Sequence, residues 1–342
     1  MTERKMATIR KIVEIKAIPE ADLICAYRVD GWWVVDSVGK YAIDDLVVYA
    51  EPDSWIPIEL APFLSKGKEP REYNGVKGEK LRTIRLKKQL SQGLLMPLEP
   101  TCANIESMLF EGLDVSLPLN IQKYEAPIAA NLAGTVRGNF PSRIPKTDQE
   151  RIQNLPKEFE FWKETGFTWE ESEKLNGSSM TVYLLEEDFG VCSRNLDLKR
   201  DENNSLWKVA IRYDLEKILK DGNPDLALQG EIVGNGIQGN PYMFKDQEFF
   251  IFDIYDVKNG RYFTPAERKA FITKYGLRHV PVFTSKKSFS TETIADLLTL
   301  AEGKSVMGNI NGPEREGLVF KCNECEASFK VISNRHLLKE KD

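Results

Sequence analysis

The sequence predicts an α+β chain in two domains, a small β-rich barrel followed by a larger domain of antiparallel sheets and helices. Three observations predict it. At 342 residues the chain exceeds what a single ordinary core organises. Short β-branched and aromatic runs crowd the stretch up to residue 120, spaced like strands separated by turns. Beyond residue 148, apolar strand-like runs alternate with segments of helical period.

The first stretch carries Ala7-Thr-Ile-Arg-Lys-Ile-Val-Glu-Ile15, with mixed alternation, then Trp32–Val35 and Leu46–Tyr49, bounded by Gly and Asp. Leu81–Lys87 alternates and Gly93–Pro97 follows. Five such runs predict a closed barrel of the OB type over residues 1–122. Residues 123–147 are punctuated by Pro127, Gly134, Gly138, Pro141 and Pro145, which predicts an interdomain linker of little regular structure.

Residues 148–342 form the second expected domain. Trp169–Glu173 and Ser179–Leu185 read as strands flanking Lys174. Ser205–Leu219 reads as one helix, with Leu206, Val209, Ala210, Tyr213 and Ile218 on one side. Leu226–Val233 and Phe249–Tyr255 suit buried strands. Thr264–Tyr275 opens on Thr-Pro, a helix start, and Thr291–Glu302 reads as a further helix.

Composition narrows the class. A hydrophobic share of 42% and a charged share of 29% suit a soluble globular chain. A net charge of -5 argues against a histone-like protein but leaves room for a local basic groove. Met1–Lys16 lacks the apolar core of a signal peptide, and no apolar run is long enough to span a membrane. An intracellular, reduced protein with no membrane partner is expected. Cys322-Asn-Glu-Cys325 is a single CxxC, and His279 and His336 stand apart from it, so surface thiols on a hairpin turn are expected rather than zinc.

The chemistry sits in an ordered series. Lys174 lies in Glu173-Lys-Leu-Asn-Gly-Ser-Ser179, an amine on a short loop beside a glycine. Ser193-Arg194-Asn195 follows an apolar strand, and Glu231 stands inside Leu228–Gly234. Phe252 and Asp253 end an aromatic strand. Glu316-Gly-Leu-Val-Phe-Lys321 precedes Ser328-Phe-Lys330. Charges inside apolar strands are costly unless paired or functional, so the series predicts a polar cleft. A lysine nucleophile must lose a proton, and Lys321 and Lys330 are expected to supply the field that depresses its pKa. Glu316 suits hydrated Mg²⁺ or Mn²⁺, Phe252 suits stacking on a purine, and Glu231 suits ribose hydroxyls. Each also has a plain reading: a solvated cation, half of a structural ion pair, or a core aromatic.

These segments resemble the ATP-dependent RNA ligase family of the Deinococcus radiodurans and Naegleria gruberi type, within the covalent nucleotidyltransferases. Lys174-Leu-Asn-Gly177 resembles motif I, whose lysine forms lysyl-AMP, so Glu173, Leu175, Asn176 and Gly177 are implied nucleotide neighbours. Arg194 resembles the arginine of motif Ia, Gly230-Glu231 motif III, and Phe252-Asp253 motif IIIa. Glu316–Lys321 resembles motif IV, with Glu316 on the metal, and Lys330 lies in motif V. Lys146–Asn154 resembles the segment before the catalytic domain, whose arginine, Arg151 here, reaches the leaving pyrophosphate. Two positions depart: motif I often carries Asp where Asn176 stands, and Ile332 stands where some relatives have a second motif V lysine. DNA ligases and capping enzymes carry their OB-fold after motif V. Twelve residues follow Lys330 here, and the barrel-like region comes first.

The resemblance implies an N-terminal OB-fold joined to an ATP-grasp-like nucleotidyltransferase domain of antiparallel sheets and helices. It implies lysyl-AMP formation from ATP, AMP transfer to a 5′-phosphate, and joining to a 3′-hydroxyl RNA end at nicks in duplexes, as in RNA repair. A monomer is expected. Lys80, Arg82, Arg85, Lys87 and Lys88 cluster within nine residues and are expected to line a phosphate-backbone groove, with Trp32, Trp33 or Trp55 for stacking. A solvated strand face with buried tryptophans is the alternative. A GTP-using guanylyltransferase and a non-catalytic nucleic-acid-binding protein remain open as functions.

Overall fold

The computed structural model describes residues 4–105, 108–126, 133–222, 225–307 and 312–339. The chain divides into two compact units. One takes in Thr2–Ala126, Ile152–Phe159 and Leu337–Asp342, the other Pro127–Arg151 and Glu160–His336.

Twelve strands build the first unit: β1 (Ala7–Lys11), β2 (Glu14–Ala17), β3 (Ile24–Val29), β4 (Trp32–Ser37), β5 (Leu46–Ala50), β6 (Ser54–Pro57), β7 (Arg71–Tyr73), β8 (Val76–Lys80), β9 (Thr83–Leu86), β10 (Gln89–Gln92), β11 (Leu94–Pro97) and β12 (Gln122–Lys123). They pair as β1-β5-β11, β2-β3-β4, β12-β6-β8-β7 and β9-β10. Among the described residues, these are four separate sheets and not one closed barrel. Central β5 shows how the sequence organises this unit. Its alternate residues enter two cores, Val48 and Ala50 with Ile9, Ile56 and Met96, and Val47 and Tyr49 with Tyr27, Trp32 and Leu95.

Packing narrows two expectations for this unit. Trp32 and Trp55 are buried, which leaves Trp33 as the tryptophan able to meet a base. The Trp32 indole donates to Asn154 Oδ1, and Trp55 donates to the Val76 carbonyl and packs on Tyr73 and Tyr124. Of the three, Trp33 alone keeps partial exposure, beneath Arg28. The five cations do not share a strand either. Lys80 ends β8, in a different sheet from β9, and pairs with Asp53 at 3.0 Å. Arg82 lies between β8 and β9, Arg85 on β9, and Lys87 and Lys88 form the turn to β10 with positive φ. A turn at residues 87–88 reverses the chain within the charged run.

The second unit holds β13 (Val136–Asn139), β14 (Glu150–Arg151), β15 (Thr168–Lys174), β16 (Ser178–Leu185), β17 (Asp188–Cys192), β18 (Leu196–Leu198), β19 (Leu226–Val233), β20 (Glu248–Asp256), β21 (Arg261–Tyr262), β22 (Val282–Ser288), β23 (Gly317–Cys322) and β24 (Ser328–Ile332). Seven strands form one sheet, β13-β18-β17-β16-β19-β20-β21, and five form another, β14-β24-β23-β15-β22. β13 is therefore a sheet strand in what the sequence presents as linker. Residues 127–132 of that stretch lie outside the described residues.

Three helices cover one face of the seven-stranded sheet. Met180, Val182 and Leu184 alternate along β16 and pack with Leu206, Trp207, Val209, Leu215, Leu219, Phe271 and Ile272. The single helix expected over 205–219 is two, Ser205–Arg212 and Leu215–Gly222. Asp214 between them adopts φ 52°, a left-handed conformation that Asp tolerates and an α-helix does not. The Pro265–Tyr275 helix begins at a Thr264 capping box, and the expected 291–302 helix shortens to Ile294–Leu300 behind a Thr293 cap. Among the described residues, no helix is long and apolar enough to cross a membrane.

Candidate active site

Both sheets of the second unit contribute to one cluster. Lys174 ends β15 opposite Gly317 on β23, so the register sets it beside Glu316. The chain then crosses through Gly177 into β16, where Ser179 lies opposite Glu231 on β19. Lys174 Nζ donates to Glu316 Oε1 at 2.6 Å. Gly177 makes the crossing possible: a Cβ there would lie 2.4 Å from the Ile232 carbonyl oxygen and 2.9 Å from Glu231 Cγ. Leu175 is buried with Val233, Tyr242, Phe250 and Val280, and the Asn176 N–H donates to the Tyr242 hydroxyl at 2.7 Å. The residues either side of the lysine are thus pinned. The Glu173 carboxylate turns away to accept the Val306 N–H at 3.0 Å.

Electrostatics reverse one expectation. Burial alone would lower the Lys174 pKa, but the charges of Glu316 and Glu231 outweigh it and hold the amine above its ordinary value. Lys321 and Lys330 are each paired with a carboxylate, Asp253 and Asp148. The cation that pulls Lys174 downward is Arg194. Burial pushes the Glu231 carboxyl up to about 7, against the opposing pull of Lys174 and Arg194.

Lys321 Nζ pairs with Asp253 Oδ1 at 2.7 Å, donates to the Phe252 carbonyl and lies 5.4 Å from the Phe252 ring centroid. The ladder between β19 and β20 pairs Gln229 with Asp253 and Gly230 with Ile251, skipping Phe252. That bulge gives Phe252 a direction of its own, partly exposed where its neighbours are buried. Beneath lies Arg268, 1% exposed, which bonds Glu170, lies 3.6 Å from Asp253 and donates through Nε to His279 Nε2 at 2.9 Å. Burial, and then the Arg268 charge, push His279 down to about 4, so it is the neutral acceptor. Burial lowers Lys321 below its ordinary value despite Asp253.

Asp148 joins the remaining cations. Its Oδ1 accepts from Lys330 Nζ at 2.8 Å and its Oδ2 from Arg194 at 3.1 Å. Arg151 is buried on β14, directly beside Lys330 in a parallel ladder.

Comparison with known proteins settles the family. A model described as RNA ligase matches residues 167–332, and a PHA02142 OB-fold domain model matches residues 6–98. No curated protein matches. Among solved structures, a lysine-to-methionine mutant of Naegleria gruberi RNA ligase with AMP and Mn superposes with a TM-score of 0.91 at 41% identity, over 99% of this chain and 100% of that one. The chain belongs to the RNA ligase family. The Naegleria ligase with PPi gives a TM-score of 0.91 at 41% identity, over 99% and 100% of the two chains. A lysine-to-alanine mutant of it with ATP and Mn gives 0.90 at 41%, over 98% and 99%.

This RNA ligase is thus an α+β protein with an N-terminal OB-fold domain and a C-terminal ligase domain. Among its described residues, no group of three or more His, Cys, Asp or Glu is placed to hold a metal. The CxxC does not present two surface thiols as expected: Cys322 is buried at the end of β23 and Cys325 is exposed. Glu316 and Glu231 are the carboxylates nearest Lys174 by their effect on its charge. A carboxylate such as Glu316 fits an ion that keeps most of its waters. Asp148, Glu170, Tyr242, Arg268 and His279 belong to the site or its support and were not singled out by sequence. For Asp148 and Glu170 a signal existed: the first lies inside the Lys146–Asn154 segment, the second is a charge inside a strand.

Proposed function

We propose that this RNA ligase is ATP-dependent and works through Lys174. The neutral amine attacks the α-phosphorus of ATP, an N–P bond forms, and pyrophosphate leaves. An oxygen of a 5′-phosphate end then attacks that phosphorus, AMP moves to the end, and the lysine amine is released. A 3′-hydroxyl attacks the activated end, a phosphodiester forms, and AMP departs. Mg²⁺ or Mn²⁺, when bound through Glu316 and water, neutralises phosphate charge.

The observation that carries this reading is the Lys174–Glu316 pair on a pinned loop, with Glu231 at its side. In this reading Arg194 and Lys330 meet phosphate oxygens, Arg151 meets the pyrophosphate, Phe252 stacks on the base, and Lys321 fixes Phe252 and the phosphate. Glu231 accepts from the ribose. Glu173, Leu175, Asn176 and Gly177 contribute backbone and shape, and any contact from Glu173 to the nucleotide is made by its main chain. Residues 148–342 are the adenylyltransferase domain and 123–147 the connection. Residues 1–122 bind the duplex, chiefly through exposed Arg85, Lys87 and Lys88, with half-buried Lys80 and Arg82 contributing less. The substrate class is a nicked duplex whose 3′-hydroxyl strand ends in RNA, as RNA repair requires, and the enzyme acts as a monomer.

A sealing assay on nicked duplexes tests this. Sealing with ATP, only when the 3′-hydroxyl strand ends in RNA, is the expected result. Covalent labelling by α-labelled GTP in place of ATP would make the protein a guanylyltransferase, and no labelling by either would leave a binding protein.

A further inference from the structure

One segment touches both Arg194 and Lys330. Along Pro145–Arg151, the Pro145 carbonyl accepts from Gln229 Nε2 at 2.7 Å, two residues before Glu231. Lys146 Nζ donates to Asn195 Oδ1 at 3.0 Å, next to Arg194. Asp148 takes Lys330 on one carboxylate oxygen and Arg194 on the other, at 2.8 and 3.1 Å. Arg151 then lies in register with Lys330. The segment therefore runs as a strap from β19 to β24.

We propose that Asp148 is a positioning residue that holds Arg194 and Lys330 at a fixed separation, so that both meet one phosphate group. The inference rests on the reading of Arg194 and Lys330 as phosphate-facing. Arg194 is about half exposed at its side chain, and a long exposed side chain loses conformational entropy when fixed. A carboxylate that bridges two cations supplies that order before substrate arrives, and charge-assisted bonds are the stronger kind. Two cations of like charge also repel each other, and the anion between them offsets that.

A double-mutant cycle reads this out. The step measured is AMP transfer from pre-adenylylated protein to a 5′-phosphate at a nick, under single turnover. Asp148→Ala is expected to slow it about 10- to 100-fold, the range for losing a hydrogen bond to a charged group. In an Arg194→Ala background the same change is expected to cost several-fold less, because Asp148 then has only Lys330 left to hold and no pair to space. Asp148→Asn keeps the size and is expected to slow transfer as the alanine does. Thermal unfolding of each variant reports whether the fold survives. Additive effects of Asp148→Ala and Arg194→Ala, or wild-type transfer by a folded Asp148→Asn variant, would overturn the inference while leaving the ligase reading intact. Absence of label on the unsubstituted protein incubated with α-labelled ATP would remove both.

Discussion

Replacing Arg268 with methionine tests the buried network under Lys321. The guanidinium is 1% exposed and bonds Glu170 and His279, with Asp253 at 3.6 Å. Methionine fills much of the same volume but leaves Glu170 without its cation and His279 without its donor. Asp253 keeps Lys321 at 2.7 Å, so the loss falls mainly on Glu170. Removing one partner of a buried pair costs about 3–5 kcal/mol, because the other charge stays desolvated. That corresponds to a rise of roughly a hundred- to several-thousand-fold in amide exchange from globally protected positions. Hydrogen exchange read by mass spectrometry on peptides of β15, β20 and the Pro265–Tyr275 helix measures it. Wild-type exchange in those peptides, with Arg268→Met fully folded, would refute the claim that this network holds helix and sheets together.

Further expectations follow from the same geometry. Lys174 is held above its ordinary value by Glu316 and Glu231, so adenylylation should rise with pH, and raising the divalent-ion concentration should move that rise to lower pH; a profile insensitive to the ion would contradict Glu316 as its ligand. Gly177→Ala should nearly abolish adenylylation, since its Cβ would lie 2.9 Å from Glu231 Cγ, and labelling with α-labelled ATP checks this. Tyr242→Phe removes the acceptor of the Asn176 N–H and should slow adenylylation about 10-fold, read by rapid quench at saturating ATP. His279 falls from 6.5 to about 4 on folding, so the unfolded chain binds the extra proton in that window. Stability should therefore drop as pH falls from about 6.5 towards 4, by on the order of 3 kcal/mol, and His279→Gln should flatten that slope in urea titrations.

Much of the site is legible in the sequence because its chemistry contradicts its surroundings. Glu231 and Lys321 are charges inside apolar strands, and Lys174 ends a strand three residues before a glycine with no room for a Cβ. Their partners are harder to read. Glu170 and Arg268 are 98 residues apart, and Asp148 and Lys330 182 apart, so no local period connects them. The same limit explains the wrong direction expected for the Lys174 pKa. Sequence shows which cations are present but not that Asp253 and Asp148 engage them. In the N-terminal unit, composition conveys strands and tryptophans, whereas burial of Trp32 and Trp55 depends on packing. The basic run divides because Lys87 and Lys88 adopt left-handed backbone at a turn, a conformation that lysine does not advertise. The helix break at Asp214 escapes the periodicity for the same reason.

The central claim is that Lys174 carries the AMP. The direct measurement is peptide mapping by mass spectrometry after incubation with ATP and Mn²⁺, followed by acid and alkaline treatment to distinguish a phosphoramidate from an ester. An acid-labile, base-stable adenylate on the peptide containing Lys174, absent in Lys174→Ala, is the expected result. An adduct on another residue, or one that persists in Lys174→Ala, would contradict the account.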